Sequence, residues 1–283
     1  MAVLHILKFR SHSISLILIF AQILIMLKLS FKKLTILPIL IFLTQHSIAQ
    51  DNNEIQVYGS ATTPKYTTMI ELHSNYSITG PKFNQNYHPF LQTLEVTTGI
   101  SENFEFGFYI FTYNNNGKIQ YTGTNIRPRV KAPDEWNLPM GISLSSEIGC
   151  SIDPITKEKD WGAEIRPIFD KTVGDHYVSF NPNIGVSFTN KEYLFEPILK
   201  YAYTVSKKAN VGFEYYGNTG KIFNAYKLPN QEHQLFLAID LFLHPLYEFN
   251  FGIGKGMTDA SNGTTVKCYI GRRINWKHPK ETK

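Results

Sequence analysis

The chain has 283 residues, enough for one large domain or two small ones. Its net charge of +5 comes entirely from the first fifty residues, which hold five basic residues and no acidic one; subtracting five from 28 leaves 23 basic against 23 acidic residues. That balance leaves no positive excess to hold a phosphate backbone and excludes nucleic acid as an expected partner. A mean hydropathy of −0.18 argues against a helical membrane protein.

The first element is a secretory signal. Lysines between Lys28 and Lys33 form a positive region, Leu34 to Leu43 form an apolar one, and Ser47-Ile48-Ala49 supplies the small residues that a signal peptidase recognises. We therefore expect residues 1–49 to be a signal peptide that is cleaved after Ala49.

A second apolar stretch, residues 14–27, precedes this signal. Met26 opens a signal peptide of normal length, so residues 1–25 are interpreted as an upstream extension from a misassigned start. The alternative is a helical membrane anchor. Neither stretch reaches the roughly 20 uninterrupted apolar residues that a spanning helix needs, which favours the signal peptide.

Polar and apolar residues alternate from residue 66 to residue 276. In Asn103 to Asn114, for example, Phe104, Phe106 and Phe108 share one face and Glu105 the other. A period of two predicts β-strands. The predicted segments are 66–79, 88–100, 103–113, 118–132, 138–152, 159–171, 176–189, 193–206, 209–218, 231–244, 247–257 and 264–276.

Short turns and longer polar loops alternate between these segments, which is typical of outer-membrane barrels. We expect an all-β fold, a closed antiparallel up-and-down transmembrane β-barrel of about twelve strands over residues 66–276. An even strand count places both termini in the periplasm, so residues 50–65 are expected to be a periplasmic N-terminal segment and residues 277–283 a periplasmic tail.

Two features oppose a regular barrel. Pro128, Pro167, Pro182 and Pro197 lie on the apolar faces of predicted strands, where proline removes a ladder hydrogen bond, so we expect bulges or strong bends there. Arg272 is in phase with lipid-facing residues, which calls for another bulge or for snorkelling to the membrane interface.

Several segments carry a resemblance to known proteins. They include Glu105-Phe106-Gly107-Phe108-Tyr109, Arg127-Pro128-Arg129, Glu164-Ile165-Arg166-Pro167 and Ser179-Phe180-Asn181-Pro182-Asn183. Over residues 54–276 the chain resembles uncharacterised Gram-negative outer-membrane β-barrels, broadly similar to the channel family of the phenol meta-cleavage pathway. This resemblance implies an outer-membrane location and gives a weak indication of transport.

The final segment, Val266 to Trp276, is similar to the closing strand that the outer-membrane assembly machinery recognises, although a tail follows its aromatic residue. The expected partners are therefore outer-membrane lipids, and the assembly machinery during insertion.

Charged residues on the polar faces are the candidate site. The turns suggest that Glu248 lies near Arg273 and that Lys200 lies near Glu214. The remaining candidates for lumen-lining pairs are Glu71, Glu95, Glu105, Arg127, Arg129, Glu147, Glu164 and Arg166. They predict either a charged constriction that selects solutes by sign or a lumen filled by mutually neutralising pairs.

The function that these patterns favour is a narrow channel for passive passage of small solutes. A sealed structural or loop-presenting barrel is the alternative, and an outer-membrane lipid hydrolase is less favoured. His73 and Ser74 are adjacent in a strand and point to opposite faces, and no nucleophile elbow, phosphate loop or metal-ligand spacing is present. We therefore predict neither an enzyme nor a cofactor.

Overall fold

A computed structural model describes residues 55–115 and 117–276. The expected signal peptide, the upstream extension, residues 50–54 and the tail 277–283 lie outside the described residues. Within the described part of the chain, no helix has both the length and the apolar character needed to cross a membrane.

Strands dominate residues 55–115 and 117–276. Twelve long strands are joined by turns and loops, and two two-residue strands, β10 (Gly220–Lys221) and β11 (Asn224–Ala225), form a hairpin in one loop. The long strands are β1 (Thr67–Thr79), β2 (Phe90–Ser101), β3 (Phe104–Asn115), β4 (Lys118–Lys131), β5 (Gly141–Ile152), β6 (Lys159–Val173), β7 (His176–Ser187), β8 (Glu192–Ser206), β9 (Ala209–Asn218), β12 (Glu232–His244), β13 (Tyr247–Gly256) and β14 (Thr264–Asn275).

The sheet closes on itself. Each long strand pairs antiparallel with its sequence neighbours, β9 continues to β12, and β1 pairs with both β2 and β14. Closure leaves none of the twelve long strands with an unpaired edge. The prediction of a twelve-stranded up-and-down barrel is confirmed.

The two faces of the wall differ in the way that the alternation predicts. Leu72, Phe108, Leu144 and Leu237 point outward and are 43%, 40%, 45% and 51% exposed. Charged and hydroxyl side chains point inward and are buried. An apolar belt of this extent around a barrel is a lipid-facing surface.

The two ends of the barrel also differ. The turns of residues 102–103, 174–175, 207–208 and 245–246 lie at one end, together with the start of β1 and the end of β14, where the Trp276 amide donates to the Tyr66 carbonyl at 2.8 Å. Longer loops, including residues 219–231, lie at the other end. Short turns are typical of the periplasmic end of outer-membrane barrels.

The prolines interrupt the ladder without shifting it. Pro167 and Pro182 face each other at the centre of a gap between β6 and β7, and the register is the same on both sides of it. Pro128 lies within a similar gap between β4 and β5, and Pro197 is directly opposite Pro182 across β7 and β8 with no shift of register. The expected bulges are absent at these positions because a missing N–H removes one hydrogen bond and leaves the residue count of the strand unchanged.

Arg272 keeps its outward phase. It lies opposite Ile70 and Tyr247, and its guanidinium carbon is 5.8 Å from the centre of the Tyr247 ring. Tyr247 begins β13 at the short-turn end, so the charge lies near the membrane interface, where snorkelling places it.

Candidate functional site in the lumen

The inward-facing charges form three clusters. The first cluster consists of Glu95, Glu105, Arg127 and Arg129, from β2, β3 and β4, all of them buried. Arg127 reaches Glu95 at 2.5 Å and Glu105 at 2.9 Å, while Arg129 reaches Glu105 at 2.8 Å. Register explains the contacts, because Glu105 is directly opposite Arg129 and Gly107 leaves room for the Arg127 side chain.

The second cluster consists of Glu147, Glu164, Arg166 and Glu196, from β5, β6 and β8. Arg166 lies 2.5 Å from Glu164 and 3.5 Å from Glu147. Glu147 and Glu164 are directly opposite each other across β5 and β6. Among the described residues, this cluster places three carboxylates around one guanidinium.

The third cluster consists of Lys200, Glu214, Asp240 and Lys267, from β8, β9, β12 and β14. Lys200 is 3.1 Å from Glu214 and 2.8 Å from Asp240. Lys267 forms an ion pair with Glu214. Asn250 donates to both Asp240 and Glu214, at 2.7 and 3.3 Å.

Two further pairs of residues are not members of these three clusters. Glu248 and Arg273 form an ion pair near the short-turn end, where Arg273 is 38% exposed, so this pair lies at the rim and not at the centre. Glu71 and His73 on β1 are buried beside Glu95, and His73 Nε2 lies 3.5 Å from Glu95. These three side chains have a donor set that suits a metal ion, but Glu95 is already bound by Arg127.

Residues 55–63, hereafter the lumen segment, run inside the barrel. Arg129 donates to the carbonyls of Gly59 and Ala61 at 3.1 and 2.7 Å. Both the amide and the hydroxyl of Ser60 donate to Asp170, at 2.9 and 2.6 Å, and the amide of Thr63 donates to Glu105. Residues 55–63 therefore lie in the lumen, whereas the sequence alone suggested a periplasmic location for residues 50–65.

Tyr58 is the centre of this segment. Its ring centre lies 4.5, 4.9 and 5.4 Å from the guanidinium carbons of Arg166, Arg127 and Arg129, a distance range in which a cation is attracted to an aromatic face. Its hydroxyl donates to Glu95 at 3.3 Å and lies 2.9 Å from the hydroxyl of Tyr109.

The backbone of Tyr58 is held from the opposite wall. Its amide donates to the Asn181 side chain at 3.0 Å, and its carbonyl accepts from Ser179 and Asn181 at 2.6 and 3.1 Å. One residue thus links β2 and β3 to β7 across the lumen.

Apolar residues fix the far end of the segment. Ile55 and Val57 are buried against Ile198, Tyr216 and Phe236, and together these five form the hydrophobic cluster of the barrel interior. Lys267 donates to the Ile55 carbonyl at 3.0 Å. The lumen segment is therefore bound along its whole described length by side chains from the barrel wall.

The wall contains glycines where the lumen segment passes. A Cβ at Gly99 would lie 2.2 Å from the Pro64 carbonyl oxygen, and a Cβ at Gly141 would lie 2.1 Å from the Ser60 hydroxyl. These are closer than real Cβ contacts allow. At Gly99 the facing atoms are backbone, so only glycine permits the approach, whereas at Gly141 they are the side-chain ends of Ser60 and Asp170, which can shift.

The contacts in the lumen divide into those that the sequence predicted and those that it did not. Lys200 with Glu214, and Glu248 with Arg273, join strands linked by one turn or loop, and both contacts are present. Contacts that join more distant segments were not anticipated, including Lys267 with Glu214 and every contact of Tyr58. The one signal for Tyr58 is the alternation Ile55-Gln56-Val57, which resembles the start of a strand.

His73 and Ser74 do not form a catalytic pair. His73 is buried in the lumen, while Ser74 lies on the outer wall beside Tyr76 and Phe251, in an apolar groove of about 660 Å³. The strand geometry therefore separates the two side chains, as the sequence predicts.

No family model matches the sequence, and no curated protein matches it either. Among solved structures, an outer-membrane channel from Pseudomonas putida F1 aligns with 78% of this chain and 100% of its own, at 9% identity and a TM-score of 0.58. The NanC porin aligns with 74% of this chain at 9% identity and a TM-score of 0.49, over 100% of its own chain. The outer-membrane phospholipase A of Escherichia coli aligns with 75% of this chain and 98% of its own at 10% identity, with a TM-score of 0.43.

The first of these similarities shows the fold, whereas the other two, with TM-scores under 0.5, carry no argument about function. A closed barrel with an apolar outer belt and a polar, charged lumen is an outer-membrane β-barrel of a Gram-negative bacterium. The resemblance to uncharacterised outer-membrane barrels is confirmed at the level of the fold.

Proposed function

We propose that the protein is a narrow outer-membrane channel for small solutes, and that the lumen segment closes it until that segment is displaced. The observation that carries this proposal is the binding of residues 55–63 across a lumen lined by charged and hydroxyl side chains. A barrel that serves only as a structural support has no need for a charged interior, since apolar side chains would fill it at lower desolvation cost.

The contacts of the lumen segment are of a kind that can be exchanged. They are hydrogen bonds from side chains to its backbone, cation–π contacts to Tyr58, and a small apolar cluster at Ile55 and Val57. Water can replace the hydrogen bonds when the segment leaves, because protein–water bonds are close to protein–protein bonds in free energy. The twelve-stranded wall does not depend on the segment for its pairing.

A reversible covalent lock tests the proposal. An ideal Cβ at Gly141 lies 3.0 Å from the Ser60 Cβ, which is shorter than the roughly 3.5–4.5 Å of a disulfide, so a bond between cysteines there needs only a small outward shift of the lumen segment. The double variant Ser60→Cys with Gly141→Cys, with Cys150→Ser and Cys268→Ser to remove other thiols, is reconstituted in a planar lipid bilayer. Ser60→Cys alone in the same background is the control.

We expect the oxidised double variant to give no unitary conductance steps and the reduced one to give them, with no redox dependence in the control. Equal conductance of the double variant in both redox states would show that the segment does not close the channel. A further variant, with residues 55–63 replaced by a Gly/Ser sequence, separates the alternatives. If this variant folds and still conducts no ions, the barrel is a sealed structural one.

A further inference from the structure

The three charge clusters differ in their balance. Among the described residues, the first cluster sets two carboxylates against two guanidiniums, and the third sets two carboxylates against two ammonium groups. The second cluster sets Glu147, Glu164 and Glu196 against Arg166 alone. Glu71 adds one unbalanced carboxylate beside the first cluster, so the excess of negative charge is largest, at two, on the wall formed by β5, β6 and β8.

The geometry of the second cluster brings like charges together. Glu147 is directly opposite Glu164, and Gly185 is opposite Glu164 on the other side. The carboxylate of Glu196 lies against Gly185, so that a Cβ there would be 2.9 Å from its oxygen. A glycine thus lets a third carboxylate approach the other two.

Like charges directly opposite each other in a sheet are destabilising. The barrel contains a second such pair, because Glu71 is opposite Glu95 on β1 and β2. Arg127 lies 2.5 Å from Glu95 and offsets the repulsion in that pair, whereas among the described residues Arg166 is the one guanidinium paired with the carboxylates of the second cluster, so the field of unneutralised carboxylates is strongest there.

The second cluster also lies on the path of any solute. Arg166 is 4.5 Å from the ring of Tyr58, the residue that links opposite walls of the lumen. The lumen segment itself, residues 55–63, contains no charged side chain and cannot neutralise the cluster. When the segment leaves, the carboxylates remain on the wall of the open lumen.

We propose that the open channel prefers cations, and that Glu164 and Glu196 are the residues that set this preference. The proposal rests on the channel function proposed above. Carboxylates lining a pore concentrate cations and repel anions, and a narrow lumen with a low-dielectric wall focuses their field. The expected solute is thus a small molecule with a positive charge.

The test is the reversal potential in a KCl gradient, measured on the variant that carries the Gly/Ser replacement of residues 55–63. We expect K⁺ to permeate at least about fivefold better than Cl⁻, because one unit charge about 4 Å away in water raises the local concentration of K⁺ about fivefold and lowers that of Cl⁻. Adding Glu164→Gln and Glu196→Gln should bring the ratio close to one. Glu147 remains 3.5 Å from Arg166 as its counter-charge, so the barrel should fold and keep its heat-modifiable migration.

The matched control is Glu248→Gln with Arg273→Gln, which removes one charge of each sign at the rim. This pair should leave the permeability ratio unchanged. A ratio at or below one before mutation, or an equal change in the control, would overturn the cation preference while leaving the channel intact. An absence of conductance in every folded variant would instead overturn the channel proposal itself.

Discussion

Arg127 shows how the lumen tolerates a charge that water barely reaches. The side chain is 1% exposed, and it contacts Glu95, Glu105 and the hydroxyl of Thr97. A buried ion pair of this kind adds little stability compared with apolar packing, but it becomes costly as soon as one partner is lost. The strongest effects of single substitutions are therefore expected where one charge serves two partners.

Arg127→Ala should destabilise the barrel by about 3–5 kcal/mol, because the buried Glu95 loses its guanidinium partner and Glu105 is left with Arg129 alone. Urea unfolding in lipid vesicles, followed by tryptophan fluorescence, measures the change. Arg127→Met combined with Glu95→Gln should cost clearly less than Arg127→Ala, since it removes charge from both sides of the pair. A double variant as unstable as the single one would show that shape, and not charge, determines the effect.

Among the elements of the fold, the lumen segment depends most on the wall around it. Gly99 on β2 accepts a hydrogen bond from the Tyr66 amide at 3.2 Å, and Lys65 forms a parallel bridge with it. The backbone at Pro64 passes so close that no side chain fits between them. The path of the segment into the barrel is thus determined by one residue of the second strand.

Gly99→Ala should loosen the lumen segment and leave the barrel folded. Overpacking at such a contact costs about 1–3 kcal/mol, and displacement of the segment relieves the strain. We expect more frequent open events in planar bilayers than for the unmodified protein. Ile100→Ala is the control, because Ile100 faces the lipid and the change adds no atom to the interior. An unchanged open frequency in Gly99→Ala would argue against gating by this segment.

The elements also show what the sequence could and could not predict. A lipid face and a watery face impose a period of two, so all twelve long strands were predicted to within about three residues at each end. Contacts across one turn, such as Lys200 with Glu214, follow from register. The approach of Tyr58 to Asn181 spans 123 residues and depends on closure of the whole barrel, which has no local sequence signal. The prediction of bulges at the prolines was wrong because a proline in a strand pattern is compatible both with a gap in the hydrogen-bond ladder and with a bulge.

At the scale of the whole molecule, the two ends of the barrel differ in the length of their connections. The short turns lie together with the start of β1 and the end of β14, and the longer loops, including the hairpin of β10 and β11, lie at the opposite end. Phe223 at the tip of this hairpin is 92% exposed, and Lys207 lies in the short turn between β8 and β9. These two positions therefore report on opposite sides of the membrane.

Single cysteines at the two positions test this orientation. With Cys150→Ser and Cys268→Ser as background, Phe223→Cys should react with a membrane-impermeant maleimide on intact cells of a Gram-negative host. Lys207→Cys should react only after the outer membrane is permeabilised, because the short turns face the periplasm. Labelling of Lys207→Cys alone on intact cells would show that the barrel has the opposite orientation in the membrane. The lumen segment would then enter the barrel from the outer surface of the cell. A ligand outside the cell, and not one in the periplasm, would be the first to contact the chain that leads to Tyr58.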